Sequence, residues 1–240
     1  MDTCIVMGVG SLNGLGATLC RRFAKLGMHV YVAGRTQSKL DVVVSTIESE
    51  GGRATAYASD TTQEDQIISL FNKACETGPL SAAIYNAGNS TPGKILDMEA
   101  DYFLNSWKTG CFGGFLFARE ALKRMQEKEQ GTILFTGASA SLRGKPNYGA
   151  FNSAKAALRT LAQAMAKEAG PMGIHVAHVI IDGSIDGDKI RGKAPDYAEK
   201  LGEEGMINQE GIADAYEYLF HQSKSAWSFE LDLRTAIEIW

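Results

Sequence analysis

Short apolar runs alternate along the chain with longer stretches whose apolar residues recur at helical spacing. Residues 3–7, 29–33, 53–58, 80–85, 132–136 and 174–181 read as strands, and a last strand falls near 227–233. Residues 14–26, 38–50, 64–76, a long region from about 99 to 128, 148–169 and 209–221 read as helices. Gly27 and the pair Gly51-Gly52 supply stops after the first two helices. The strand runs are continuously apolar rather than alternating, as expected of strands covered on both faces. The pattern predicts an α/β fold with a parallel sheet between two helical layers, as one domain over residues 1–240. One stretch, 182–209, departs from it. It is polar, rich in glycine and charge, and contains Pro195. It follows a strand end, where open α/β sheets bind ligands, so it reads either as a surface loop or as a flap over a substrate.

Composition adds boundaries. The 240 residues are 45% hydrophobic and 22% charged with net charge −4, which suits a soluble globular chain and shows no basic stripe for nucleic acid. Cys4, Cys20, Cys75 and Cys111 lack metal-ligand spacing, and reduced thiols in a cytoplasmic protein are the simplest expectation. The chain enters a strand-like run at once, so no signal peptide is expected. No apolar run approaches membrane-spanning length.

Chemistry enters with the segment after the first strand, Gly8-Val9-Gly10-Ser11-Leu12-Asn13-Gly14-Leu15-Gly16. Glycines here let the backbone turn sharply and approach a phosphate, and the following helix aims its free N–H groups and positive dipole end at the anion. A glycine cluster alone is a turn; between the first strand and helix of a β-α-β unit it predicts a dinucleotide site. The second strand ends Val32-Ala33-Gly34-Arg35 and offers no carboxylate for ribose hydroxyls. Arg35, with Lys39 nearby, suits a 2′-phosphate, so NADP is expected over NAD.

These features resemble the short-chain dehydrogenases/reductases. The resemblance rests on the Gly10-x3-Gly14-x-Gly16 loop, Asp60 after the third strand, Asn86-Ala87-Gly88 after the fourth, and Lys155 on the helix after the fifth. It implies a doubly wound Rossmann fold with seven strands in the order 3-2-1-4-5-6-7. It also implies a homodimer or homotetramer in which the 99–128 and 148–169 helices meet a partner subunit. The cofactor contacts it implies are Gly10, Ser11, Asn13, Gly14, Leu15, Gly16, Arg35, Asp60, Thr61, Asn86, Ala87, Gly88, Lys155 and Ile185.

The catalytic pattern of that family is largely missing. Its enzymes use a tyrosine as general acid–base, a lysine four residues later, a serine thirteen before the tyrosine, and an asparagine in the preceding helix. Lys155 is present, but the tyrosine position is Phe151 and the serine position Ala138, with Ser139 and Ser141 beside it. The asparagine position falls on Gly110, with Asn105 a few residues away, and after the sixth strand the usual Pro-Gly reads Asp182-Gly183. Tyr148 lies seven residues before Lys155 on the same helical face, a Tyr-x6-Lys spacing that resembles enoyl-thioester reductases of the superfamily. Tyr148 reads either as a catalytic phenol or as a packing aromatic at the helix start.

Other groupings carry less. Asp182-x-Ser184-x-Asp186-Gly187-Asp188 has the oxygen-rich spacing of a calcium loop, but Lys193 stands where a bidentate glutamate is needed. His175 and His178, three apart on a strand, face opposite sides, so no metal site is expected. Asp182 and Asp186 read as a possible acid near the nicotinamide, or as solvated or helix-capping groups. The apolar tail 225–240 covers either a neighbouring subunit or its own. The leading expectation is an NADP-dependent reductase of a small organic substrate, with Tyr148, Lys155 and Ser139 as catalytic residues. The alternatives are an enoyl-thioester C=C reductase and a cofactor-binding subunit without chemistry.

Overall fold

The computed structural model describes residues 1–238. In chain order its strands are β1 (Thr3–Met7), β2 (His29–Gly34), β3 (Arg53–Ala58), β4 (Leu80–Tyr85), β5 (Gly131–Thr136), β6 (Ile174–Ile181), β7 (Ser184–Ile185), β8 (Met206–Ile207) and β9 (Glu230–Leu233). Its helices are α1 (Leu15–Lys25), α2 (Gln37–Ser49), α3 (Glu64–Thr77), α4 (Ala100–Trp107), α5 (Gly113–Met125), α6 (Gly149–Ala169), α7 (Asp188–Lys193), α8 (Pro195–Leu201) and α9 (Gln209–His221).

Seven strands form one parallel sheet in the order β3-β2-β1-β4-β5-β6-β9. This is the expected Rossmann order, the seventh sheet strand being the ninth in the chain. Alternate residues of each strand feed two cores. Cys4, Val6, Val30, Val32 and Ile84 pack with Phe23 of α1, Leu40 of α2 and Tyr216 of α9. Ile5, Met7, Tyr31, Tyr85 and Phe135 pack with Phe71 of α3, Phe117 of α5 and Leu158 of α6. Each fully buried phenylalanine of these layers stabilises the fold by about 1.5–3 kcal/mol.

Two stretches differ from the sequence expectation. The long helix of 99–128 is broken by a π turn at Lys108–Phe112, between α4 and α5. The Tyr85 hydroxyl at the end of β4 donates to the Thr109 carbonyl at 2.5 Å, and Gly113 leaves that hydroxyl its space. A side chain projecting from the sheet thus inserts into the helical ladder, a recognised cause of such bulges. The stretch 182–209 is folded rather than looped: β7 and β8 make a two-residue parallel ladder around α7 and α8.

The tail packs on its own chain. Trp227 stacks on His175 with ring centroids 4.9 Å apart, and β9 pairs with β6. Residues 239–240 of the tail lie outside the described residues.

Candidate active site

Because the sheet is parallel, the segments after β1, β2, β3, β4, β5 and β6 all gather at one edge. Gly8 leaves β1 with φ +100°, and a Cβ there would lie 2.5 Å from the Ala87 nitrogen. The Asn86 amide donates to the Gly8 carbonyl at 3.2 Å, so the loop after β1 is tied to the loop after β4. Gly10 faces open space, with nothing within 4 Å of a Cβ. No side chain among the described residues caps α1, and its first turn holds no acid. That combination, an uncapped helix start behind an open glycine backbone, fits a phosphate.

Further along, Asn13 is engaged by the segment after β6. Its amide donates to the Asp188 carboxylate at 3.1 Å, and its carbonyl accepts from the Asp188 N–H at 2.9 Å. Gln209 donates to the Asn13 side-chain oxygen and to the Asp186 carbonyl, and accepts from the Thr18 hydroxyl at 2.7 Å. The start of α7 is therefore docked on the glycine loop, with half-buried Ile185 just before it.

Arg35 stands exposed at the end of β2, without an ion-pair partner among the described residues. It borders a depression of about 290 Å³ with Ala58, Ser59, Asp60 and Gln66. Asp60 is partly committed to its own turn, accepting from the Thr62 N–H and hydroxyl at 2.9 and 2.8 Å. Thr61 turns its hydroxyl inward to Tyr85 at 3.2 Å.

Lys155 is 4% exposed, and its ammonium donates to the Thr136 carbonyl at 2.7 Å, the only hydrogen bond it makes among the described residues. Burial pushes it down to about 8, and Lys189 adds repulsion. Gly88 lies against it: a Cβ there would stand 3.3 Å from Cε and 3.4 Å from Nζ. A buried ammonium with unused N–H donors at the mouth of a nucleotide loop fits ribose hydroxyls.

Around it lie the positions that the resemblance assigns to acid–base groups. Phe151 and Ala138 are half-buried, and the Ser139 hydroxyl makes no hydrogen bond among the described residues. Tyr148 caps the start of α6 half-buried, its ring 5.6 Å from the Lys145 ammonium, and its phenol is likewise unbonded among the described residues. At Gly110 a Cβ would lie 2.6 Å from the Ala154 Cβ, so the π turn packs on α6 with no room for a side chain at this position.

Two polar networks escaped the sequence reading. Ser141 accepts from the Ala138 N–H at 3.2 Å and meets His178 Nε2 at 3.3 Å, while His178 Nδ1 meets Glu230 at 3.0 Å. Arg159 completes the chain with two bonds to Glu230, at 2.6 and 2.8 Å. The carboxylate fixes the tautomer: Nδ1–H donates to Glu230 and Nε2 accepts from the Ser141 hydroxyl. Burial pushes His178 down to about 4 against the pull of Glu230, so the ring is neutral near pH 7. This locks the loop carrying Ser139. Gly137 was the available signal, because a Cβ there would lie 2.4 Å from the His178 ring.

The second network corrects the expectation for Asp182. It is 1% exposed, neither solvated nor capping a helix, and takes two bonds from Arg143 at 2.8 and 3.0 Å. Arg234 adds an ion pair at 3.6 Å. Asp186 pairs with Arg191 at 2.7 Å. His175 faces α9, bonding the Leu219 carbonyl, whereas His178 faces the Ser141 loop on the other side.

The family profile described as short chain dehydrogenase matches residues 4–193. The chain belongs to the short-chain dehydrogenase family. It is 32% identical over 195 residues to "Uncharacterized oxidoreductase YuxG" of Bacillus subtilis, covering 79% of this chain but only 28% of that one. It is 30% identical to versicolorin reductase 1 of Dothistroma septosporum, covering 82% of this chain and 75% of the relative. Among solved structures it resembles a short-chain dehydrogenase from Rhodopseudomonas palustris, with TM-score 0.83, 36% identity, and coverage of 97% of this chain and 98% of that one. No helix among the described residues is long and apolar enough to cross a membrane.

Proposed function

We propose that the protein is an NADP-dependent reductase of a small organic substrate with a non-standard acid site. The observation that carries this reading is the buried Lys155 ammonium, with one hydrogen bond among the described residues and spare donors beside Gly88. An ammonium held this way is costly unless a ligand completes its bonding. Gly10, Ser11, Asn13, Gly14, Leu15 and Gly16 would border the pyrophosphate, with Asn86, Ala87, Gly88 and Ile185 around the nicotinamide half. Asp60 and Thr61 would border the adenine. Arg35, free of carboxylate partners among the described residues, would hold the 2′-phosphate and favour NADP over NAD.

A bound nicotinamide supplies hydride chemistry. The chain's own part is to orient the substrate oxygen and protonate it. Among the described residues, the Ser139 hydroxyl next to Ala138 and the Tyr148 phenol, seven residues before Lys155, are unbonded and available.

The test is NADPH titration by fluorescence, followed by turnover on ketones, imines and enoyl thioesters. NADPH should bind and one class should oxidise it, with Tyr148→Phe lowering kcat about 100-fold. Binding without turnover of any class would favour the second reading, a cofactor-binding partner subunit. That reading draws its support from Gly110, whose packing on Ala154 leaves no room for the asparagine. Oligomerisation and a cytoplasmic location belong to the same proposal.

A further inference from the structure

One phenol joins three segments that lie far apart in the chain. Tyr85 ends β4 fully buried; its hydroxyl accepts from the Thr61 hydroxyl at 3.2 Å and donates to the Thr109 carbonyl at 2.5 Å. Thr61 is itself buried, in the turn after β3 that Asp60 fixes through its bonds from Thr62. Gly113 is fitted to the junction, since a Cβ there would lie 2.6 Å from the phenol oxygen and 2.7 Å from the Thr61 hydroxyl.

The phenol sets the register of the π turn. In a regular α-helix the Thr109 carbonyl would accept from the Gly113 N–H. Here that N–H bonds the Lys108 carbonyl, five residues back, and the phenol stands in for it on Thr109. Without the hydroxyl, the Thr109 carbonyl loses its donor and competes with Lys108 for the Gly113 N–H, so one amide has two alternative partners. The register bears on the site because this turn presses on α6. A Cβ on Gly110 would stand 2.6 Å from the Ala154 Cβ, and one on Gly114 would stand 2.6 Å from the Leu158 Cδ1; those two residues bracket Lys155. A hydroxyl that accepts a hydrogen bond also donates its own more strongly. The Thr61 bond therefore reinforces the Thr109 bond, and what steadies the turn at 60–62 steadies the turn at 108–112.

We propose that Tyr85 is a positioning residue that couples the adenosine end of the cofactor site to the helix carrying Lys155, by holding the Gly113 N–H in the π register. This rests on the reading above that puts adenine beside Asp60 and Thr61. Coupling between distant sites needs an element with two discrete arrangements, and the two carbonyls open to one amide supply it.

The experiment is amide hydrogen exchange with and without adenosine 2′,5′-bisphosphate, a fragment that fills only the adenosine end. At saturation it should slow exchange in segments 108–114 and 153–158 of the unaltered chain by about fivefold, at the low end of usual coupling. Tyr85→Phe should bind the fragment as tightly and show no slowing. Thr61→Ser, which keeps the hydroxyl, should retain the effect, and Thr61→Val should lose it. A merely structural hydroxyl would speed exchange in both states and leave their ratio unchanged, so slowing that survives in Tyr85→Phe overturns the inference. So does a turn that saturating fragment leaves unaffected in the unaltered chain. If the fragment does not bind, the adenine assignment fails separately, and the ligand-free proteins decide the positioning role. Segment 108–114 should then exchange about 10-fold faster in Tyr85→Phe, as for loss of one buried hydrogen bond, and equal rates overturn that role.

Discussion

Gly110 in the π turn and Ala154 on α6 lie so close that a Cβ on the glycine would stand 2.6 Å from the alanine Cβ. Packing therefore leaves no room for an asparagine side chain at this position. Gly110→Asn should destabilise the fold by about 1–3 kcal/mol, the usual range for overpacking a filled interior. Adding Ala154→Gly should recover part of that loss, which urea unfolding would read directly. Full stability of the single variant would mean that the turn yields and that the absent asparagine has another cause.

Restoring the missing acid is a more direct probe of chemistry. Phe151 lies one helical turn before Lys155, so Phe151→Tyr puts a phenol beside an ammonium that lowers its pKa. With Ala138→Ser added, reduction of a simple ketone by NADPH should rise at least 10-fold over the native chain. No gain, with NADPH affinity intact, would show that substrate does not approach this part of the cleft.

The buried lysine makes stability depend on pH. Its folded pKa of about 8 lies below the ordinary lysine value of 10.5, so the unfolded chain binds more protons between those values. In that window stability from this group rises with pH, and below pH 8 the full cost of the buried charge applies. Lys155→Met should therefore make the cofactor-free protein more stable near pH 7, by up to about 3 kcal/mol, with the difference fading towards pH 10.5. Melting curves across pH would test it; a variant less stable at pH 7 would refute the direction. The same substitution should weaken NADPH binding, trading function for stability.

Arg35 offers a separate test of cofactor choice. Arg35→Ala should weaken NADPH binding 10- to 100-fold, consistent with about 1.5–3 kcal/mol for bonds to a charged group, and leave NADH unchanged. Equal losses for both cofactors would place the 2′-phosphate elsewhere.

The strands and helices were legible because their signals are local. Apolar runs at Thr3–Met7, Arg53–Ala58 and Ile174–Ile181 coincide with the observed strands residue for residue. Strand order came from a motif pattern tied to one topology. The break at Lys108–Phe112 was not legible, since the Tyr85 hydroxyl that enters it lies on a strand distant in sequence. Nor could the folding of 182–209 be read from its polarity, because Asp188 and Gln209 hold it through Asn13 of the first loop.

The sequence by itself determined the sheet with its glycine loop, and the presence of Lys155, Phe151 and Ala138 where the resemblance expects a lysine, a tyrosine and a serine. Those depend on residue type and short-range spacing. Only the tertiary structure decided that Asp182 is buried between two arginines, that His178 locks Ser141, and that the start of α7 is docked on the glycine loop through Asn13. Each joins segments far apart in the chain, and their energies depend on burial and distance, which spacing along the sequence does not encode.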